Sequence, residues 1–401
     1  MAATGMGCCH VCGKEASQRC SKCGEGVDRN GNPSATFYCS RDCQTTDWEN
    51  HKTTTCRFAN ARKQLYRGSS MVQMAFYNFR TTTFNFNIQK TSIGNDGKIS
   101  VTIKTITTSG QPIHRLPEQL KSDKHKKALL AWRASNTALA FQHDLLKRVL
   151  KGIVDPQTPP TESAFLVKDF RERVAVIPHF ANGRQDERQH EHVALRVKLI
   201  DGEEYVIDLA GAQFGQYAAV LPAKEYDGQL VREQLATKPM GSWKRFWSNF
   251  GQAGGHDLVP EEFEFRGPTI AFHSSAFAEL ALRQWDRRAV RTVAAGVKEK
   301  KAVFIVGRKC VLSVVSEYTS LWVHLISSQD GPISRFAAFI QVQPHANNDW
   351  VAWAPIKTSD IHDVDELPEA EGPWSPQGLQ PTAMAKCEQQ MQVLRSFIDR
   401  D

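Results

Sequence analysis

Apolar residues change their spacing along this 401-residue chain, and each change predicts an element. Between Phe76 and Ile106 they alternate with polar residues on either side of Asn95-Asp96-Gly97, which predicts two strands joined by a tight turn. Over 124–151 the spacing is helical, so one helix of several turns is expected. Gly152 then acts as its stop, and Pro156, Pro159 and Pro160 lie in the loop beyond. His192–Leu199 and Glu204–Leu209 flank Asp201-Gly202-Glu203 as a hairpin. A three-residue loop at that triplet sets Leu199 opposite Tyr205, Val197 opposite Ile207 and Leu195 opposite Leu209, which gives one continuous apolar face. This register puts Asp208 against Arg196 as an ion pair. It leaves His192 on the order of 13 Å from Asp208 at ~3.3 Å per residue, beyond hydrogen-bonding reach.

Farther along, 275–298 reads as a helix, and Phe277, Leu280, Ala281, Val290 and Val293 fall near its apolar stripe. Strands or buried segments are expected at 302–315 and 320–326. The aromatic piece from Asp349 to Trp353 reads as a sheet edge, and an acidic, proline-bearing linker at 360–381 precedes a short helix at 382–400. The expected plan is a finger at 9–56, an α+β domain with antiparallel hairpins at 70–345 that breaks into subdomains near 235–262, and a linker with a terminal helix at 355–401.

Composition narrows the class. Mean hydropathy is −0.42 and no stretch has the 18 apolar residues a membrane-spanning helix needs. The opening MAATGMGCCH has no apolar h-region, so an intracellular, reduced protein of the nucleus or cytoplasm is expected. The formal net charge is +7, and residues 1–67 hold ten Lys/Arg against six Asp/Glu, a net of +4. That surplus is thin and lacks an ordered basic recognition helix, so nucleic acid is not the expected partner.

The chemistry lies at the amino end. Seven of the chain's ten cysteines join one histidine in the order Cys9, Cys12, Cys20, Cys23, Cys39, Cys43, His51, Cys56, with Cys8 left as a spare thiol. In a reducing compartment such CxxC spacings hold metal rather than disulfides, and eight ligands close two tetrahedral zinc sites. Spacing alone leaves two pairings open, one sequential and one interleaved.

The run Tyr38-Cys39-Ser40-Arg41-Asp42-Cys43-Gln44, followed by Asp47-Trp48-Glu49-Asn50-His51, resembles the YCxxxCQxxxWxxH core of the MYND zinc finger. The resemblance implies interleaved sites, with Cys9, Cys12, Cys39 and Cys43 on one ion and Cys20, Cys23, His51 and Cys56 on the other. It also implies a groove for proline-containing peptides lined by Gln44 and Trp48. Two features depart from the pattern. Four residues separate His51 from Cys56 where the family has three, and the stretch from Cys23 to Cys39 is long, as an inserted surface loop would be.

Four protein ligands per ion leave no position for water or substrate, so the zinc is structural. The expected function is protein–protein interaction in a regulatory assembly, transcriptional or ubiquitin-linked. No SET-type motif, GxGxxG or phosphate loop is present. The competing reading is an enzyme or degenerate enzyme of Cys-His-Asp type, as in transglutaminase or acyltransferase folds, with His192 and Asp208 as its His and Asp. No cysteine lies between Cys56 and Cys310 to serve it, and Ser135 is the one substitute nucleophile.

Overall fold

A computed structural model describes residues 7–104, 114–179, 183, 185 and 189–252. The elements expected beyond 252, with Cys310 and Cys387, lie outside these residues. The finger opens with two ribbons, β1 (Gly7–Cys8) on β2 (Glu15–Ala16) and β3 (Gln18–Arg19) on β4 (Phe37–Tyr38). Helix α1 (Arg41–Thr53) follows and is capped by Ser40, whose Oγ accepts from the Cys43 amide at 3.3 Å. Thr54 interrupts the helix, and the 28-residue α2 (Thr55–Thr82) continues into the large domain.

The helix α2 corrects the expectation of strand from Phe76 onward. Val72, Ala75, Phe76 and Phe79 are buried at the i, i+3, i+4, i+7 spacing of a helical face, and alternation begins only after the buried Thr83. β5 (Ile88–Ile93) and β6 (Ile99–Ile103) then form the expected hairpin, with Gly97 in the left-handed region at φ +77°.

The single helix expected over 124–151 is three: α3 (Asp123–Ala131), α4 (Ser135–Phe141) and α5 (His143–Leu150). The first break falls at Arg133, which sits at φ +52° and donates its amide to Gln213 Oε1 at 3.1 Å. A tertiary partner thus overrides a locally helical pattern, and the second break falls at Gln142. Gly152 lies just past α5 at φ +77°, as a helix stop should.

β7 (Thr161–Val167), the short α6 (Phe170–Arg173), β8 (Val176–His179), β9 (His192–Lys198), β10 (Glu204–Ile207), β11 (Val220–Pro222), α7 (Ala223–Leu230), β12 (Val231–Pro239) and α8 (Ser242–Gln252) complete the body. Five strands make an antiparallel sheet in the order β11-β10-β9-β7-β12, and a second sheet has β6 at its centre, antiparallel to β5 on one side and parallel to β8 on the other. α2, α3, α4 and α5 cover the sheet face that carries Val193, Leu195 and Val197, while α7 covers the other with Tyr226 and Leu230.

Candidate metal centre

Each CxxC pair is held by its own backbone. In the first, Cys9 donates its amide to Lys14 O at 2.7 Å and accepts from Gly13 at 2.9 Å; in the second, Gly26 donates to Cys23 O at 2.8 Å. The ribbon β3–β4 brings Cys39 back to the first pair. The Ser40 cap fixes the first turn of α1 and so points Cys43 the same way, and His51 leaves the last turn of α1 toward the second pair. The extra residue between His51 and Cys56 is absorbed at Thr54. Its Oγ1 closes on Asn50 O at 2.7 Å while α2 restarts with Cys56 in its first turn.

The result is two clusters, Cys9–Cys12–Cys39–Cys43 and Cys20–Cys23–His51–Cys56, whose ligand atoms within each lie within 4.8 Å of one another. These are the interleaved sets implied by the resemblance. The Sγ separations Cys12–Cys39, Cys39–Cys43 and Cys12–Cys43 are 3.4, 3.6 and 3.9 Å. A tetrahedron built on Zn–S bonds of ~2.3 Å has edges of roughly 3.7 Å, so a zinc ion fits. In the other cluster His51 Nε2 lies 3.4 Å from Cys23 Sγ, and Nδ1 is buried with no partner among the described residues.

The ligands perturb one another in both directions: hydrogen bonds from backbone amides, that of Cys12 foremost, lower Cys9 to about 6. Burial, reinforced by Cys56 and Cys20, pushes the Cys23 thiol up to about 12, and sulfur contacts from Cys12 and Cys43 do the same for Cys39. Burial also holds His51 below its ordinary value, favouring the neutral imidazole that a metal requires. A divalent ion at each centre reverses the mutual repulsion of the thiolates and releases their protons.

Residues 9–56 match the MYND finger family. MYND fingers bind zinc and are generally protein–protein interaction modules, and two zinc ions suit these two sites. No curated protein and no solved structure matches the chain.

Gln44 and Trp48 stand one turn apart on α1, both half-buried. Trp48 packs at the edge of the finger core near His51, and the Lys22 ammonium lies 5.0 Å from its ring centroid. Tyr38 and Asp47 carry a contact that their spacing does not announce: the buried Tyr38 hydroxyl donates to Asp47 Oδ2 at 2.8 Å and so clamps β4 to α1.

The large domain holds a second constellation, and it overturns the expected hairpin register. Tyr205 pairs with Val197 and Ile207 with Leu195, so the loop is Ile200-Asp201-Gly202, one residue earlier than expected. Asp208 therefore reaches His192: Nε2 lies 2.9 Å from Asp208 Oδ2, and both side chains are buried. Arg196 pairs instead with Asp227. Tyr226 donates to the same Oδ2 at 2.7 Å, and the Ala210 amide donates to Oδ1 at 3.0 Å.

Gln213 completes the set. Its Oε1 accepts the Arg133 amide, which leaves Nε2 to donate to His192 Nδ1 at 3.3 Å. The imidazole is thus the Nε2–H tautomer with both nitrogens engaged. Ser135 opens α4, which packs on the Val193 and Leu195 face of β9, while His192 projects from the opposite face. Among the described residues no thiol or hydroxyl nucleophile meets His192. No described helix is long and apolar enough to cross a membrane.

Proposed function

We propose that the chain is a zinc-scaffolded adaptor. Cys9, Cys12, Cys39 and Cys43 hold one structural zinc, and Cys20, Cys23, His51 and Cys56 hold the other. Gln44 and Trp48 present a groove to proline-containing peptides of a regulatory protein partner. The observation that carries this reading is the pair of closed four-ligand clusters with a half-buried tryptophan on α1 beside His51 of the second. Closed coordination leaves zinc no catalytic position, and a ring with one face packed and one edge presented suits a proline ring. A role in transcription or ubiquitin-linked control, in the nucleus or cytoplasm, accords with a finger built on reduced thiols.

Fluorescence polarisation against a labelled set of proline–leucine peptides, including 362–372 of this chain, tests it. Trp48→Ala and Gln44→Ala are expected to weaken binding at least tenfold while zinc stays at two equivalents per chain. Unchanged affinity in both variants defeats the reading.

The second reading, a degenerate enzyme targeted by its finger, is favoured by one observation, the His192–Asp208 bond. Both imidazole nitrogens are occupied and the group is sealed from solvent, so we read the pair as a structural remnant. Acyl transfer lost on His192→Ala with the fold intact would restore the enzyme.

A further inference from the structure

The two ligand clusters differ in what they hold. Cys12 of the first is exposed, and Cys39 and Cys43 are half-buried, so this outer cluster faces solvent at the tip of the finger. All four ligands of the second are buried, and Cys56 belongs to the first turn of α2. From there α2 runs on for about 40 Å at ~1.5 Å per residue. It contributes Ala59 to the finger core, then Leu65, Val72, Ala75 and Phe76 to the main core.

Side chains tie this inner end down in both directions. Asn60 Nδ2 donates to Cys56 O at 2.9 Å and to Lys22 O at 3.2 Å, binding the second CxxC pair to α2. Two residues on, Arg62 Nε donates to Asp201 Oδ2 at 2.8 Å, and that carboxylate, in the β9–β10 turn, is almost wholly buried. The long surface loop between Cys23 and Cys39 also reaches the body beside it. Asp28 Oδ1 accepts the Asn30 and Asn32 amides and shapes the loop, Tyr66 donates to Arg29 O at 2.8 Å, and Arg29 pairs with Glu203 at 3.2 Å. Gly31 is required there, since a Cβ would lie 2.7 Å from the Tyr66 ring and φ is +81°.

We propose that the inner zinc locks the α+β body as well as the finger, whereas the outer zinc acts on the finger tip alone. This rests on the zinc assignment above. It follows from the shared helix: metal binding that orders the start of α2 also sets where Arg62 meets the β9–β10 turn and where the Tyr66 ring meets Tyr205 of β10, so the free energy of the inner site reaches the main core. Loss of the inner metal then releases the large domain, and loss of the outer one leaves it folded.

The test uses the full chain, with zinc counted by mass spectrometry and hydrogen exchange read on peptides covering 161–167 and 192–207. In Cys12→Ser one zinc equivalent is lost and exchange of both strand regions stays within twofold of wild type. In Cys20→Ser one equivalent is lost and exchange there rises at least tenfold; complete unfolding counts in the same direction. Graded EDTA on the wild type provides a second arm, in which strand protection falls together with the second zinc released. Strand exchange within twofold in Cys20→Ser, an equal rise in Cys12→Ser, or strand protection that outlasts both zincs overturns the proposal. Peptide capture at Gln44 and Trp48 is measured independently of strand exchange, so the adaptor reading stands or falls separately.

Discussion

Asp208 shows how much one carboxylate can organise. Its Oδ2 takes hydrogen bonds from His192 and Tyr226 and its Oδ1 one from the Ala210 amide, all without solvent. Gly211 is shaped by it too, since a Cβ there would lie 2.6 Å from Oδ2. Burial and the nearby carboxylate push the Tyr226 hydroxyl well above its ordinary value, which keeps it a donor. Removing the acceptor strands three buried donors, so Asp208→Ala is expected to cost about 3–5 kcal/mol in urea unfolding, whereas Tyr226→Phe, which removes one donor, costs about 1–2 kcal/mol. A cost under about 1 kcal/mol for Asp208→Ala would show the network to be slack and reopen a chemical role. The His192–Asp208 bond was hidden in the sequence for a geometric reason. Sliding a hairpin register by two residues keeps every side chain on its face, so the apolar pattern around Leu195 and Tyr205 cannot choose between the two pairings. The zinc ligands were legible because CxxC spacing carries its own local geometry, with no register to guess.

Helix α2 is the element on which the molecule turns, and its misread end illustrates the limit of pattern. Tyr77, Phe79 and the threonines up to Thr83 look β-prone, yet the helical stripe of Val72, Ala75, Phe76 and Phe79 prevails because it packs into the core. The expected helix over 124–151 failed in the opposite sense. Nearly every residue of α4 is buried, so its periodicity carried no information about where the chain turned at Arg133. α2 also crosses α5 closely at Gly68, where a Cβ would lie 2.3 Å from Val149 Cγ1. In an exposed helix Gly→Ala gains up to about 1 kcal/mol. Here overpacking wins: Gly68→Ala should destabilise by about 1–3 kcal/mol net. Val149→Ala alone should destabilise as well, and the double variant should recover part of the loss as a favourable coupling. Purely additive costs in thermal unfolding would place the strain elsewhere.

Across the whole molecule the tyrosines share a direction. Tyr38, Tyr66, Tyr77, Tyr205, Tyr217 and Tyr226, six of the seven in the sequence, are all raised chiefly by burial, with Tyr205 reaching about 12. The unfolded chain releases these protons from about pH 10, while the folded chain still holds them. Stability is therefore level with respect to these groups below pH 10 and falls as pH climbs through the folded values. For the deeply buried Tyr77 and Tyr226 the slope is up to ~1.4 kcal/mol per pH unit each. Absorbance at 295 nm is expected to show tyrosinate forming in one cooperative step coincident with loss of helical circular dichroism, rather than as separate titrations. Tyr77 isolates the cause. Its hydroxyl is buried with no hydrogen-bond partner among the described residues, so Tyr77→Phe should be neutral or mildly stabilising at pH 7, because it removes an unsatisfied group. The same variant should make the alkaline descent shallower by about one proton. A Tyr77→Phe protein that is clearly less stable at pH 7, or one with an unchanged alkaline slope, would mean that the hydroxyl is satisfied or that the descent is driven by other groups.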